Sequence, residues 1–202
     1  RETHWHKRLK SLYEEMDKLS TRYEITGRLS EVANGNNEHR LTFQRFVLGA
    51  LLDDVVIAAN ERLKTMSRGR YYLQRTLDRA RKNMAGGLDL EVYDNHTGLP
   101  RGVGTLSGGE TFLASLSLAL GLVDVVQSYA GGIHLDTLFV DEGFGTLDPE
   151  SLDFAIKSLI DLQQGGRLVG IISHVPELKE RIDARLEVNP STRGSRAVFK
   201  VG

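Results

Sequence analysis

Leu138-Phe139-Val140-Asp141-Glu142, running on through Gly143-Phe144-Gly145-Thr146-Leu147-Asp148-Pro149, is the stretch whose reading decides the fold. Leu138-Phe139-Val140 is an unbroken apolar run, as expected of a strand covered on both faces. Two carboxylates follow at its carboxyl end, where open parallel sheets bind ligands. Leu168-Val169-Gly170-Ile171-Ile172 is a second such run and ends in Ser173-His174. Helical patterns fill the segments around them, from Gly108 to Tyr129 and from Pro149 to Gln163. Helix, strand, helix, strand implies parallel strands joined by crossover helices, an α/β fold. That topology brings His174 to the same sheet edge as Asp141 and Glu142.

These residue types suit phosphoryl transfer. The first acid, Asp141, can hold magnesium directly or through water, and the second, Glu142, can orient and deprotonate an attacking water. His174 at the same edge can contact a γ-phosphate. Upstream, Leu106-Ser107-Gly108-Gly109-Glu110 has the S-x-x-E form of a capping box at a helix start, with Ser107 as cap and Glu110 reciprocating. Gly108 and Gly109 let a ligand approach the backbone, and the helix start offers free N–H groups suited to phosphate. A plain capped helix after a turn reads equally well from this pentapeptide alone. Asp148 is either the cap of the next helix or an inter-subunit contact.

The phosphate-gripping loop expected with such a set, G-x-x-x-x-G-K-[ST], is absent: the chain has no Gly-Lys pair, and Lys157-Ser158 follows Ile156. The chain thus reads as half of a nucleotide site. At 202 residues, 40% hydrophobic and 26% charged, it can bury one substantial core with an appendage. Its apolar runs are shorter than the roughly 20 residues of a membrane span, so no membrane partner is expected. With no cysteine it has neither disulfides nor thiolate metal sites. The net charge of -1 conceals a basic block, Arg62 to Lys82, whose only acid is Asp78. Such a block either binds a phosphodiester backbone or forms a solvated helix face.

Trp5, Leu9, Leu12, Met16, Leu19 and Tyr23 alternate at four- and three-residue intervals, the seam of a coiled coil that needs a partner helix. Arg1 opens the chain already in phase and without an initiating Met, so the coil is expected to extend beyond it. The seam fades near Gly27, and Asn34-Gly35-Asn36-Asn37 signals a turn. The division expected is therefore 1–33 as a coil base and 34–202 as the globular lobe. A long helix is predicted from Leu41 to Met66. Strands are predicted at Tyr71–Leu73 and Leu88–Tyr93, and a closing hairpin at Ala184–Asn189 and Arg196–Val201. The tyrosines read as packing groups.

Together these motifs resemble the ABC-type ATPase superfamily. Leu106 to Glu110 looks like its signature motif, Leu138 to Glu142 its Walker B strand, Gly145 to Asp148 its D-loop and His174 its switch histidine. The entering coil, the Met66-Ser67-Arg68-Gly69-Arg70-Tyr71 run and the Glu142 to Asp148 run are similar to SMC-like DNA-repair ATPases of the SbcC family. The resemblance implies a C-terminal lobe of an ATPase head with the base of a returning coil strand, cytoplasmic and nucleoid-associated. It implies ATP and Mg as cofactors, with Asp141 on the metal, Glu142 on the water, His174 on the γ-phosphate, and Ser107, Gly108, Gly109 and Glu110 on nucleotide held by an opposite head. Asp148 would relay between heads, and Arg101 would couple nucleotide state to coil movement. The implied partners are the N-terminal lobe of the same ATPase, a second head in a homodimer, an SbcD-type nuclease subunit and double-stranded DNA. In this reading, ATP-driven closure controls DNA access to the nuclease during double-strand-break and hairpin processing. The other readings are a chromosome-organising SMC head, which favours Lys or Arg where Thr111 stands, and a non-catalytic coiled-coil module that binds DNA through Arg62 to Lys82.

Overall fold

The computed structural model describes residues 2–76, 86–129, 131, 135–164, 166–192 and 194–201. Its elements run α1 (Glu2–Ala33), α2 (Phe43–Met66), β1 (Tyr71–Thr76), β2 (Asp89–Asp94), β3 (Leu99–Gly102), α3 (Gly108–Tyr129), β4 (Thr137–Asp141), α4 (Pro149–Gln164), β5 (Leu168–Ile172), α5 (Pro176–Lys179), β6 (Ala184–Ser191) and β7 (Gly194–Val201). They fall into two compact units, one of Arg1–Val56 with Gln74–Glu91, the other of Ile57–Leu73 with Val92–Gly202.

In the first unit, α1 carries the predicted seam on an uncovered face. Trp5, Met16, Leu19 and Tyr23 are all more than half exposed. The helix does not end where the seam fades: it passes through Gly27 to Ala33, and Ile25, Leu29 and Val32 continue the exposed apolar set. One interior glycine costs a helix only about 1 kcal/mol, too little to stop it. Asn34 and Gly35 do stop it, with Gly35 at φ 93°. The Asn37 side chain then satisfies both the N–H and the C=O of Leu41. Thr42 Oγ accepts the Arg45 N–H at 3.3 Å, so α2 starts at Phe43, two residues later than predicted.

The core of the second unit is built from Ala59, Leu63 and Met66 of α2, Leu113, Leu116 and Leu120 of α3, and Leu152, Ile156 and Leu159 of α4, all buried. By length and composition alone α3 could cross a membrane, a match that counting apolar runs misses because Glu110 and Asp124 punctuate the helix. Its buried face belongs to this core.

β4 and β5 pair in parallel, from Thr137↔Leu168 to Asp141↔Ile172, as the crossover pattern requires. The expectation that both faces are covered is not met. Phe139 is 67% exposed and Leu168 64%, because among the described residues only two strands make up this sheet and one of its faces has no layer over it. The Phe139 ring instead lies across its register partner Gly170, where a Cβ would fall 2.4 Å from it. β6 and β7 form the predicted antiparallel hairpin, with pairing carried through Pro190 to Ser191↔Gly194. The short strand β3 joins β1 and β2 in the order β1-β2-β3. Its Leu99-Pro100 start gave no strand signal, since proline is confined to strand starts and edges.

Candidate functional site

The carboxyl ends of β4 and β5 form one edge. The Glu142 N–H donates to the Ile172 carbonyl at 2.8 Å, extending the ladder one step past Asp141. His174 follows two residues after Ile172, and its Nδ1 lies 2.8 Å from Glu142 Oε2. The predicted meeting of Asp141, Glu142 and His174 is therefore present, and it is open to solvent: the His174 side chain is 82% exposed and that of Glu142 46%. Glu142 sits at φ 59°, the left-handed region that only glycine enters freely, and Gly143 follows at φ 97°. Such local strain at a carboxylate is typical of functional positions.

No group of three or more His, Cys, Asp or Glu among the described residues could hold a metal. A lone aspartate such as Asp141 still fits magnesium, which commonly takes one or two carboxylates and completes its octahedron with substrate phosphates and water.

At the start of α3 the capping box is formed. Glu110 Oε2 accepts the Ser107 N–H at 2.8 Å, and Ser107 Oγ faces the Glu110 N–H at 3.4 Å. Glu110 does more than cap. Its Oε1 accepts the Tyr71 hydroxyl, and Arg101 Nη2 donates to its Oε2 at 3.3 Å. Burial alone would raise the Glu110 carboxyl, but the hydrogen bonds from Tyr71, the Ser107 N–H and Arg101 outweigh it and hold the group below the ordinary carboxylate value. The partner effect on Tyr71 is opposite: burial, then the bond to Glu110, pushes the phenol up to about 12.

Gly108 and Gly109 face this chain's own loop. A Cβ on Gly109 would lie 2.8 Å from the Thr146 carbonyl oxygen, and one on Gly108 3.6 Å from the Thr146 methyl. Asp148 accepts the Ser151 N–H at 3.0 Å and the Ser151 hydroxyl at 2.6 Å, so it caps α4. These bonds, chiefly the hydroxyl, lower its carboxyl. Glu110 thus joins Ser107, Tyr71 and Arg101, while Asp141, Glu142 and His174 share a separate sheet edge.

Sequence reading missed the polar cluster around Asp94, next to the start of α3. Asp94, 2% exposed, receives Arg70 Nε and Nη2 at 3.3 and 3.1 Å and the His96 N–H at 2.9 Å. Arg101 Nη2 lies 3.9 Å from it. Arg70 and Arg101 also stand over the Tyr71 ring, at 4.7 and 5.4 Å from its centroid. In the sequence Asp94 opens the turn-type run Asp94-Asn95-His96-Thr97-Gly98, and nothing local marks its two arginine partners.

In the basic block, the described arginines are engaged inside the chain. Arg62 pairs with Asp124 at 2.7 Å, Arg68 with Glu150 at 2.5 Å, Arg70 with Asp94 at 3.1 Å and Arg75 with Asp53 at 2.6 Å. Arg79, Arg81 and Lys82 lie outside the described residues.

Residues 77–161 match the family model of the SbcC/RAD50-like Walker B motif. The chain is 59% identical over 189 residues to the SbcC subunit of the SbcCD nuclease of Vibrio cholerae, covering 94% of this chain and 19% of that protein. The chain is homologous to SbcC. The SbcC protein of Staphylococcus epidermidis is 48% identical over 184 residues, covering 91% of this chain and 18% of that one. The chain therefore spans less than a fifth of the length of these SbcC relatives. Its fold is that of SMC heads. A Pyrococcus furiosus Smc head domain with an extended coiled coil, bound to the C-terminal domain of ScpA, superposes with a TM-score of 0.61 at 16% identity over 97% of this chain and 45% of that one. The corresponding Pyrococcus yayanosii head with coiled coil and joint gives 0.60 at 16% identity, over 96% and 34%.

Proposed function

We propose that this chain is the C-terminal half of an SbcC-type ATPase head, with residues 1–33 as the base of a returning coil strand and 34–202 as the lobe. It binds and hydrolyses ATP only when joined by the N-terminal lobe that supplies the phosphate loop. The observation that carries this reading is the meeting of Asp141, Glu142 and His174 at one strand edge, in a chain 59% identical to an SbcC protein.

In the working head, Asp141 would hold magnesium, which would neutralise phosphate charge. Glu142 accepts a proton from the attacking water, and His174 faces the γ-phosphate. The Glu142–His174 pair keeps the carboxylate aimed along the sheet edge. Ser107 and the N–H groups at the α3 start contact nucleotide held by a second copy of the head, with Gly108, Gly109 and Glu110 shaping that surface. In this reading Asp148 relays between heads, and Arg101, bonded to Glu110, couples nucleotide state to coil movement. Closure of the two heads then governs DNA access to an SbcD-type nuclease subunit, on double-stranded DNA in the cytoplasm at the nucleoid.

Glu142→Gln in the complete head keeps the binding groups and removes water activation, so it is expected to trap an ATP-bound dimer. A monomer by light scattering at saturating ATP and magnesium would refute this. Ser107→Arg is expected to block closure by placing bulk and charge at the interface, and unchanged turnover would remove Ser107 from that role. A chromosome-organising head shares the fold, but its structural relatives stand at 16% identity against 59% for SbcC. A purely DNA-binding module draws no support from Arg62, Arg68, Arg70 and Arg75 of the basic block, since these four are ion-paired within the chain.

A further inference from the structure

The loop after β4 and the start of α3 interlock through two close approaches. Gly143, at φ 97°, lies so near the Phe112 ring that a Cβ there would sit 2.2 Å from it. Gly109 also closely approaches the loop, its Cβ position 2.8 Å from the Thr146 carbonyl oxygen. The Phe112 ring also meets Phe144 edge to face at 4.9 Å, and Phe144 is 1% exposed. The loop is tied to itself as well, because Thr146 Oγ donates to the Gly143 carbonyl at 2.8 Å. Close-packed contacts of this kind transmit displacement rather than absorb it.

We propose that Phe112 is a positioning residue which locks the Glu142-bearing loop to the α3 start, so that one rigid block carries both the β4 half-site and the signature half-site. The inference rests on the reading of this chain as part of an ATPase head. Glu142 is held in a left-handed conformation directly before Gly143, and the Phe112 ring packs directly on the Gly143 backbone. When a second head's nucleotide docks on Ser107, the displacement reaches Glu142 through Phe112 and Gly143. Each head then registers occupancy of one composite site at the water-activating residue of the other. Phe112 touches no reacting atom in this arrangement.

The test uses the full-length ATPase with its partner nuclease. Phe112→Ala is expected to lower kcat about tenfold, in line with the sensitivity of rate to sub-ångström misplacement, while the ATP-dependent dimer still forms when the change is placed in a Glu142→Gln background. Gly143→Ala should give a similar loss. Wild-type turnover by Phe112→Ala overturns the proposal. So does loss of the ATP-dependent dimer together with turnover, or an altered circular dichroism spectrum at the assay temperature, since either makes the ring a mere packing group. The reading of the head fails separately, through a wild-type complex that shows no ATP turnover or a Glu142→Gln variant that retains it.

Discussion

Tyr71 shows how a residue that reads as packing becomes part of the chemistry's support. Its ring is buried and its hydroxyl donates to Glu110, the carboxylate that caps α3. The phenol is raised from 10.0 to about 12, and the sign of the consequence follows from linkage. A group whose folded value lies above its unfolded one contributes stability that is full below the unfolded value and is lost as pH rises through the folded value. The Tyr71 contribution is therefore expected to be intact below pH 10 and to vanish between pH 10 and 12. Absorbance titration should show one tyrosine ionising last, and that late phase should be missing in Tyr71→Phe. Glu110 runs the other way: its lowered carboxyl contributes above the ordinary carboxylate range and loses that contribution as acid protonates it. At this scale the place of Asp141, Glu142 and His174 after apolar runs was enough to bring them to one sheet edge. It could not disclose Asp94, whose partners Arg70 and Arg101 lie on either side of it in the chain with no periodicity connecting them.

Among the elements, those whose apolar period is long were legible: α1, α2, α3, α4 and the β6–β7 hairpin lie where the pattern puts them. Boundaries followed side chains that periodicity does not weigh, such as the Thr42 cap and the Asn37 clamp on Leu41. Asp148 was readable as a cap or an interface residue, and the Ser151 bonds show that it caps α4. Asp148→Ala should therefore lower stability by about 1 kcal/mol, measured by urea denaturation, and should shift the α4 start before any effect on turnover is considered. The covering of β4 and β5 was misjudged for a physical reason. An apolar run reports that a strand becomes buried on both faces, without saying which segment buries it. Phe139, Leu168 and Ile172 remain exposed among the described residues. In the proposed head the N-terminal lobe covers them, so Phe139→Asp should abolish association with that lobe, as measured by co-purification.

On the scale of the whole molecule, two features point the same way: an uncovered coil seam on α1, and a sheet edge that gathers Asp141, Glu142 and His174 in a chain without a Gly-Lys pair. In the proposed head each is half of an arrangement: the α3 start, the strand-end acids and the histidine are one half of the nucleotide site, and the N-terminal lobe supplies the grip on the phosphates. ATP turnover of this segment alone, and then mixed with a separately expressed N-terminal lobe carrying the phosphate loop, tests this most directly. Turnover that appears only in the mixture and disappears with Glu142→Gln is the result predicted. A stably associated mixture with no turnover, or turnover by this segment alone, would contradict it.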